Sequence, residues 1–161
     1  MMDDSLTAEM FAVLLEGVKD GGQPKLDILY KKYDTAFDAQ TVLNFNQVMD
    51  KIKMDFAPLL MGTSILTPAP LLMLFSAIAY SMVGIPNGDI KPDEMPVRYP
   101  LNKNLDQVQE NLLNLASVTS GDNEPPPPYV AFWKARAFAH KIASRRVRFP
   151  EFVKAVSAAP A

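Results

Sequence analysis

Seven lysines and arginines stand between Pro125 and Ala161 against a single acid, Glu151. Four of them, Lys134, Lys141, Arg145 and Arg148, fall within about 60° of arc when turned at about 100° per residue, so a continuous helix displays them as one basic stripe. Arg136, Arg146 and His140 widen it. The chemistry open to such a stripe is anion contact: arginine offers forked donors to phosphate or carboxylate, and Tyr129, Phe132 and Trp133 at its start add aromatic faces. The competing reading is internal. Residues 1–124 carry nine basic and seventeen acidic side chains, and the stripe then balances that acidity, or is solvated, with the aromatics in the core. Lys134, Arg136, Lys141, Arg145, Arg146 and Arg148 are therefore the candidate contacts to DNA, another anion or a partner protein.

Other chemistry is easier to exclude. The chain has no Cys, which removes disulfides, thiolate nucleophiles and zinc–thiolate clusters and suits a reducing compartment. Its one histidine, His140, lies in a basic segment without the context of a catalytic base. Gly21-Gly22 lacks the Lys-Ser/Thr ending of a phosphate loop and follows no strand. Asp93-Glu94 beside Pro92 reads as a solvated loop, and Asp3-Asp4 as helix capping. No catalytic residue, metal site or cofactor is expected.

The elements that must position the stripe start from a window without charge, Phe56 to Gly88. Pro58, Gly62, Pro68 and Pro70 interrupt its first half, leaving Leu71 to Gly84, shorter than the roughly 20 apolar residues of a membrane span. No basic residue flanks the window as an anchor. A buried central helix is the prediction, wrapped by others. Apolar spacing places those at Ser5–Val18, with Asp3, Asp4 or Ser5 as cap, at a short helix after Asp20–Pro24 with Leu26, Leu29, Tyr30 and Tyr33, and at Asp38–Phe56 through Val42, Phe45, Met49, Ile52 and Phe56. Ile85–Pro100, with four prolines, is a long surface connection. Asn102–Val118 repeats Leu105, Val108, Leu112 and Leu115, and the segment ending in four prolines extends as polyproline. Tyr129–Arg146 reads as one long helix and Pro150–Val156 as a short last one. The expectation is a single all-α domain of six or seven helices: a core over 1–119, a proline-rich connector over 120–128, and basic helices over 129–161. The acidic start, unlike a signal peptide, points to the cytoplasm.

Met1 to Asp34 resembles a segment of the GmrS-like, ParB/sulfiredoxin-related proteins of modification-dependent restriction systems. The matching pieces are Asp3-Asp4, Ala8-Glu9-Met10, Leu14-Leu15-Glu16-Gly17, Asp20-Gly21, Tyr30 and Tyr33. Phe45–Ile52, Leu71–Val83 and Ser144–Arg148 follow in the order of that family's helical half. The family's DGQQR-type motif does not occur between Met1 and Ala161, so none of its catalytic residues carries over. The resemblance implies a non-catalytic helical portion that acts as a scaffold and touches DNA or a ParB-like or nuclease partner domain. The alternative is an adaptor without a nucleic-acid role that self-associates or binds another protein through apolar surface.

Overall fold

The uncharged window is the centre of a helical bundle. The computed structural model describes residues 4–33 and 37–158, and among these every regular element is a helix, with one isolated bridge between Leu101 and Ser157. The chain runs α1 (Asp4–Glu16), α2 (Gln23–Lys32), α3 (Ala39–Lys51), α4 (Ala57–Leu60), α5 (Pro68–Met82), α6 (Leu105–Ser120), α7 (Val130–Lys134) and α8 (Ile142–Val156). No described helix is long and apolar enough to cross a membrane.

α5 is the buried helix expected near 71–84, and its ten buried residues include Leu72, Leu74, Phe75, Ala77 and Ile78. It starts three residues earlier than predicted. Pro68 and Pro70 fall in its first turn, where backbone N–H groups have no partner within the helix, so the prolines open the helix instead of interrupting it. α8 packs most extensively along α5, α1 and α3 cover further faces of it, and α6 packs on α8. The largest enclosed side chains include Phe56, Phe75, Phe149, Phe152 and Met10.

α1 buries Leu6, Met10 and Val13 as its spacing predicts; Asp3, one of its candidate caps, lies outside the described residues. In α2, Leu26 and Leu29 are buried, whereas Tyr30 faces solvent. Asp38 caps α3, accepting the Thr41 N–H at 2.8 Å and the Thr41 hydroxyl at 2.9 Å. The helix then passes without a break through a π-helical turn, Ile52–Phe56, into α4. Val42 leaves the predicted seam and is exposed, because the buried face at this end passes through Thr41 and Phe45, whose ring stacks on Phe11. α6 buries Val108, Leu112 and Leu115 and begins at Leu105, where Asn104 accepts the Gln107 N–H.

The 85–100 connection is irregular apart from one 3₁₀ turn, Pro92–Glu94, which carries the exposed Asp93 and Glu94. It is tied down by buried Ile90, and by the Tyr80 hydroxyl, which donates to the Pro96 carbonyl at 2.6 Å. Gly17 (φ 85) and Gly88 (φ 59) cross there almost backbone to backbone: a Cβ on Gly17 would overlap the Pro86 carbonyl, and one on Gly88 would overlap Val18.

The C-terminal third differs from the prediction. Instead of one helix over Tyr129–Arg146, α7 ends after five residues and the chain turns through 135–141 before α8 begins. Pro150 lies inside α8 and starts nothing. A proline there removes one hydrogen bond at a cost of about 3 kcal/mol, and burial of Phe149, Phe152, Val153 and Val156 on either side holds the helix together.

Candidate functional site

The corner between α7 and α8 contains no Gly or Pro, so local propensity does not make it. Distant partners do. Asp20 reaches across the fold to accept the Ile142 N–H at 2.8 Å, capping α8, which has no side-chain cap of its own. Next to it, the Gly21 N–H donates to the His140 carbonyl at 2.8 Å. The Ser144 hydroxyl donates to the Ala135 carbonyl at the end of α7. Three of the polar groups released by ending one helix and starting another are thus satisfied, two of them by a turn more than a hundred residues upstream. The Ile142 N–H, held against burial and helped by Lys141, Lys25 and Arg145, keeps the Asp20 carboxyl below its ordinary pKa.

With the helix broken, the basic stripe is dispersed. Arg145 is buried at 7% exposure and faces inward; its guanidinium donates to the Lys19 carbonyl at 2.8 Å and to Glu9 Oε1 at 2.9 Å. Arg148 is buried deeper, at 2%, with its guanidinium 5.8 Å from the centre of the Phe132 ring. Its enclosed Nε has no hydrogen-bond partner, and no acid among the described residues pairs with it. Burial, and then the like charge of Arg145, hold its pKa below the usual arginine value. These two predicted contacts are therefore interior groups. Arg145 follows the internal-pairing alternative, since its acid comes from α1.

The other four are on the surface. Arg136 stacks on Trp133 at 4.1 Å and donates to the Trp133 carbonyl. Arg146 donates to the Asp89 carbonyl at 3.3 Å and lies 3.8 Å from Glu94. Lys134 and Lys141 are exposed on either side of the corner, and no acid among the described residues pairs with them. Of the predicted aromatics, Phe132 is core, whereas Trp133 is half-buried and donates to the Gly121 carbonyl.

Lys134 and Lys141 border an open groove of about 440 Å³, floored by Ala131, Ala135, Ala143 and Val147. At its edge stands Phe138, 77% exposed, the one described non-glycine residue with positive φ (51°). A bulky aromatic in the left-handed region costs of order 1–3 kcal/mol, so the fold holds this ring in solvent at a conformational cost. The spacing of basic residues did not single out Phe138. Its only signal is one large ring in the run ARAFAHK.

A second concavity, about 280 Å³, lies between α1, α2 and the start of α8 and includes Glu9, Gly21, Lys25 and Arg145 in its lining. Among the described residues, no group of three or more His, Asp or Glu side chains is placed to hold a metal ion. No family model, no curated protein and no solved structure matches the chain.

Proposed function

We propose that this chain is a non-catalytic helical interaction module whose α7–α8 corner docks an acidic, partly apolar segment of another protein. The observation that carries the reading is Phe138, held in a costly backbone conformation and presented to solvent at the edge of an apolar groove. Conformational strain persists where other structure over-determines it, and such positions concentrate at binding sites. An apolar floor with an aromatic anchor and a polar rim is the anatomy of a small protein interface.

Charge selects the partner. Lys134 and Lys141 on the rim form no ion pair with an acid among the described residues. Acidic side chains on the occupant complement both. Duplex DNA is the less favoured occupant: two of the six predicted contacts are interior, two more are engaged on the protein, and an apolar floor offers phosphate nothing. The resemblance of Met1–Asp34 to GmrS-like proteins agrees with a partner-contacting role for a helical portion.

The test is a panel of amphipathic helical peptides with acidic, neutral or basic polar faces, read by amide chemical shifts. Acidic peptides are expected to bind, to shift Ala135, Phe138 and Ala143, and to lose at least about tenfold in affinity with Phe138→Asn, a hot-spot loss of roughly 1.4 kcal/mol or more. Equal binding of all three faces, or duplex DNA binding that falls steeply with salt and ignores Phe138→Asn, would retire the reading.

A further inference from the structure

The cavity between α1, α2 and the start of α8 has an apolar side and a charged end. Val13 on α1 and Leu26 and Leu29 on α2 are buried residues that line the first, and Arg145 and Lys25 contribute to the second. Its size, about 280 Å³, lies just below the usual range of about 300–1,000 Å³ for small-molecule sites.

Each acid around it is already engaged. Glu9 accepts from Arg145 at 2.9 Å, Glu16 lies 3.1 Å from Lys19 and 3.5 Å from Lys32, Asp20 caps α8, and Asp89 accepts the Asp20 N–H at 2.9 Å. Lys25 is the lining cation that no acid among the described residues pairs with. Arg145 adds an ion that is nearly fully buried and has five N–H donors, two of which bond the Lys19 carbonyl and Glu9. Over the whole lining Glu9, Glu16, Asp20 and Asp89 balance Lys19, Lys25, Lys32 and Arg145, so what this end offers a ligand is the Lys25 ammonium, which has no ion-paired acid, and the Arg145 N–H donors beyond its two bonds. Gly21 lets the backbone pass close to the Arg145–Glu9 pair, since a Cβ there would meet the guanidinium and the carboxylate.

We infer that this cavity binds a small organic monocarboxylate with an apolar body, its carboxylate towards Lys25 and Arg145 and its body against Val13, Leu26 and Leu29. A single charge is specified because Lys25 is the one lining cation without an ion-paired acid among the described residues, and a second negative charge would face Glu9, Glu16, Asp20 and Asp89 with no free cation to offset it. A body is specified because carboxylate alone leaves the apolar side uncovered. The site is independent of the docking groove, although Asp20 and Gly21 connect the two: both line this cavity and both hold the turn that carries Phe138.

The probes are phenylacetate and isovalerate, with phenylacetamide as the neutral isostere and inorganic phosphate as the bare anion, titrated into the full chain and followed by amide shifts and thermal melting. The carboxylates are expected to saturate with Kd on the order of 1 mM, as fits ligands of fragment size. They should move Gly21, Lys25 and Leu29, raise Tm, and bind roughly threefold more weakly to Lys25→Ala, whose exposed side chain is not needed for folding. Leu29→Ala reads the apolar side separately. Equal response to phosphate, equal response to phenylacetamide, or no shift of Gly21 at about 50 mM of either carboxylate overturns the assignment. Peptide docking at Phe138 is scored apart from all of these, so either proposal fails alone.

Discussion

Asp20 and Ile142 are 122 positions apart, and the carboxylate of the first caps the helix begun by the second at 2.8 Å. Through that contact, a turn near the N-terminus determines where the C-terminal chain stops being helical and so where Phe138 is displayed.

The cap should show in the acid limb of stability. Asp20 has a folded pKa below its unfolded value, as do Asp38, which caps α3 on the Thr41 N–H, and Glu16, where burial pushes upward but the Lys19 hydrogen bond and the charges of Lys19 and Lys32 outweigh it. A depressed carboxyl contributes stability that is fully present above the unfolded pKa, about 4, and is lost as pH falls through the folded value. Asp20→Ala should cost roughly 1 kcal/mol at neutral pH and flatten the loss below about pH 4. Urea unfolding of wild type and variant across pH 2–7 checks both, and parallel curves would deny the cap its role.

Removing Arg145 should hurt more than removing any exposed cation. Its guanidinium joins α8 to α1 through Glu9 and to the 17–21 turn through the Lys19 carbonyl. Breaking a buried pair costs about 3–5 kcal/mol, and since Glu9 is partly exposed, the lower end of that range is expected for Arg145→Ala. Glu9→Gln should cost less, because the amide oxygen still accepts a bond. Lys134→Ala should lie within about 0.5 kcal/mol of wild type.

Arg148 predicts the opposite sign. An enclosed arginine without an acid among the described residues carries an uncompensated desolvation cost, and methionine keeps an unbranched apolar side chain there without the charge. Arg148→Met is expected to stabilise by about 1–3 kcal/mol in denaturant unfolding. Destabilisation would mean that the charge is compensated in solution.

Phe138→Gly separates conformation from contact. Glycine accepts φ 51° without the Cβ clash, so stability should hold or rise by about 1 kcal/mol while docking is lost. A large drop in melting temperature would make Phe138 a packing residue instead.

Gly17→Ala and Gly88→Ala should each cost more than about 2 kcal/mol, since both combine positive φ with backbone where the methyl would go. Gly62→Ala, with positive φ but open space, isolates the conformational part of that cost. Comparable losses at all three sites would leave the close approach without consequence.

Much of the bundle was legible because helical spacing repeats locally. Leu6, Met10 and Val13, or Val108, Leu112 and Leu115, recur every three or four positions, and a stretch without charge from Phe56 to Gly88 has to be covered. Those features determined the all-helical class, the central helix and most of its neighbours. They misjudged Pro68, Pro70 and Pro150, where position within the helix or packing around it decides whether proline breaks anything.

The candidate site was beyond the sequence alone. Turning Lys134, Lys141, Arg145 and Arg148 around one helix assumed that nothing interrupts it, and the chain between them has no local breaker. The break is made by Asp20 and Gly21, and the burial of Arg145 and Arg148 is set by α1 and α7 packing on α8. Spacing along a chain reports which residues share a face only while the backbone stays periodic; a cap delivered from 122 residues away enters no local window, and the tertiary structure alone supplies it.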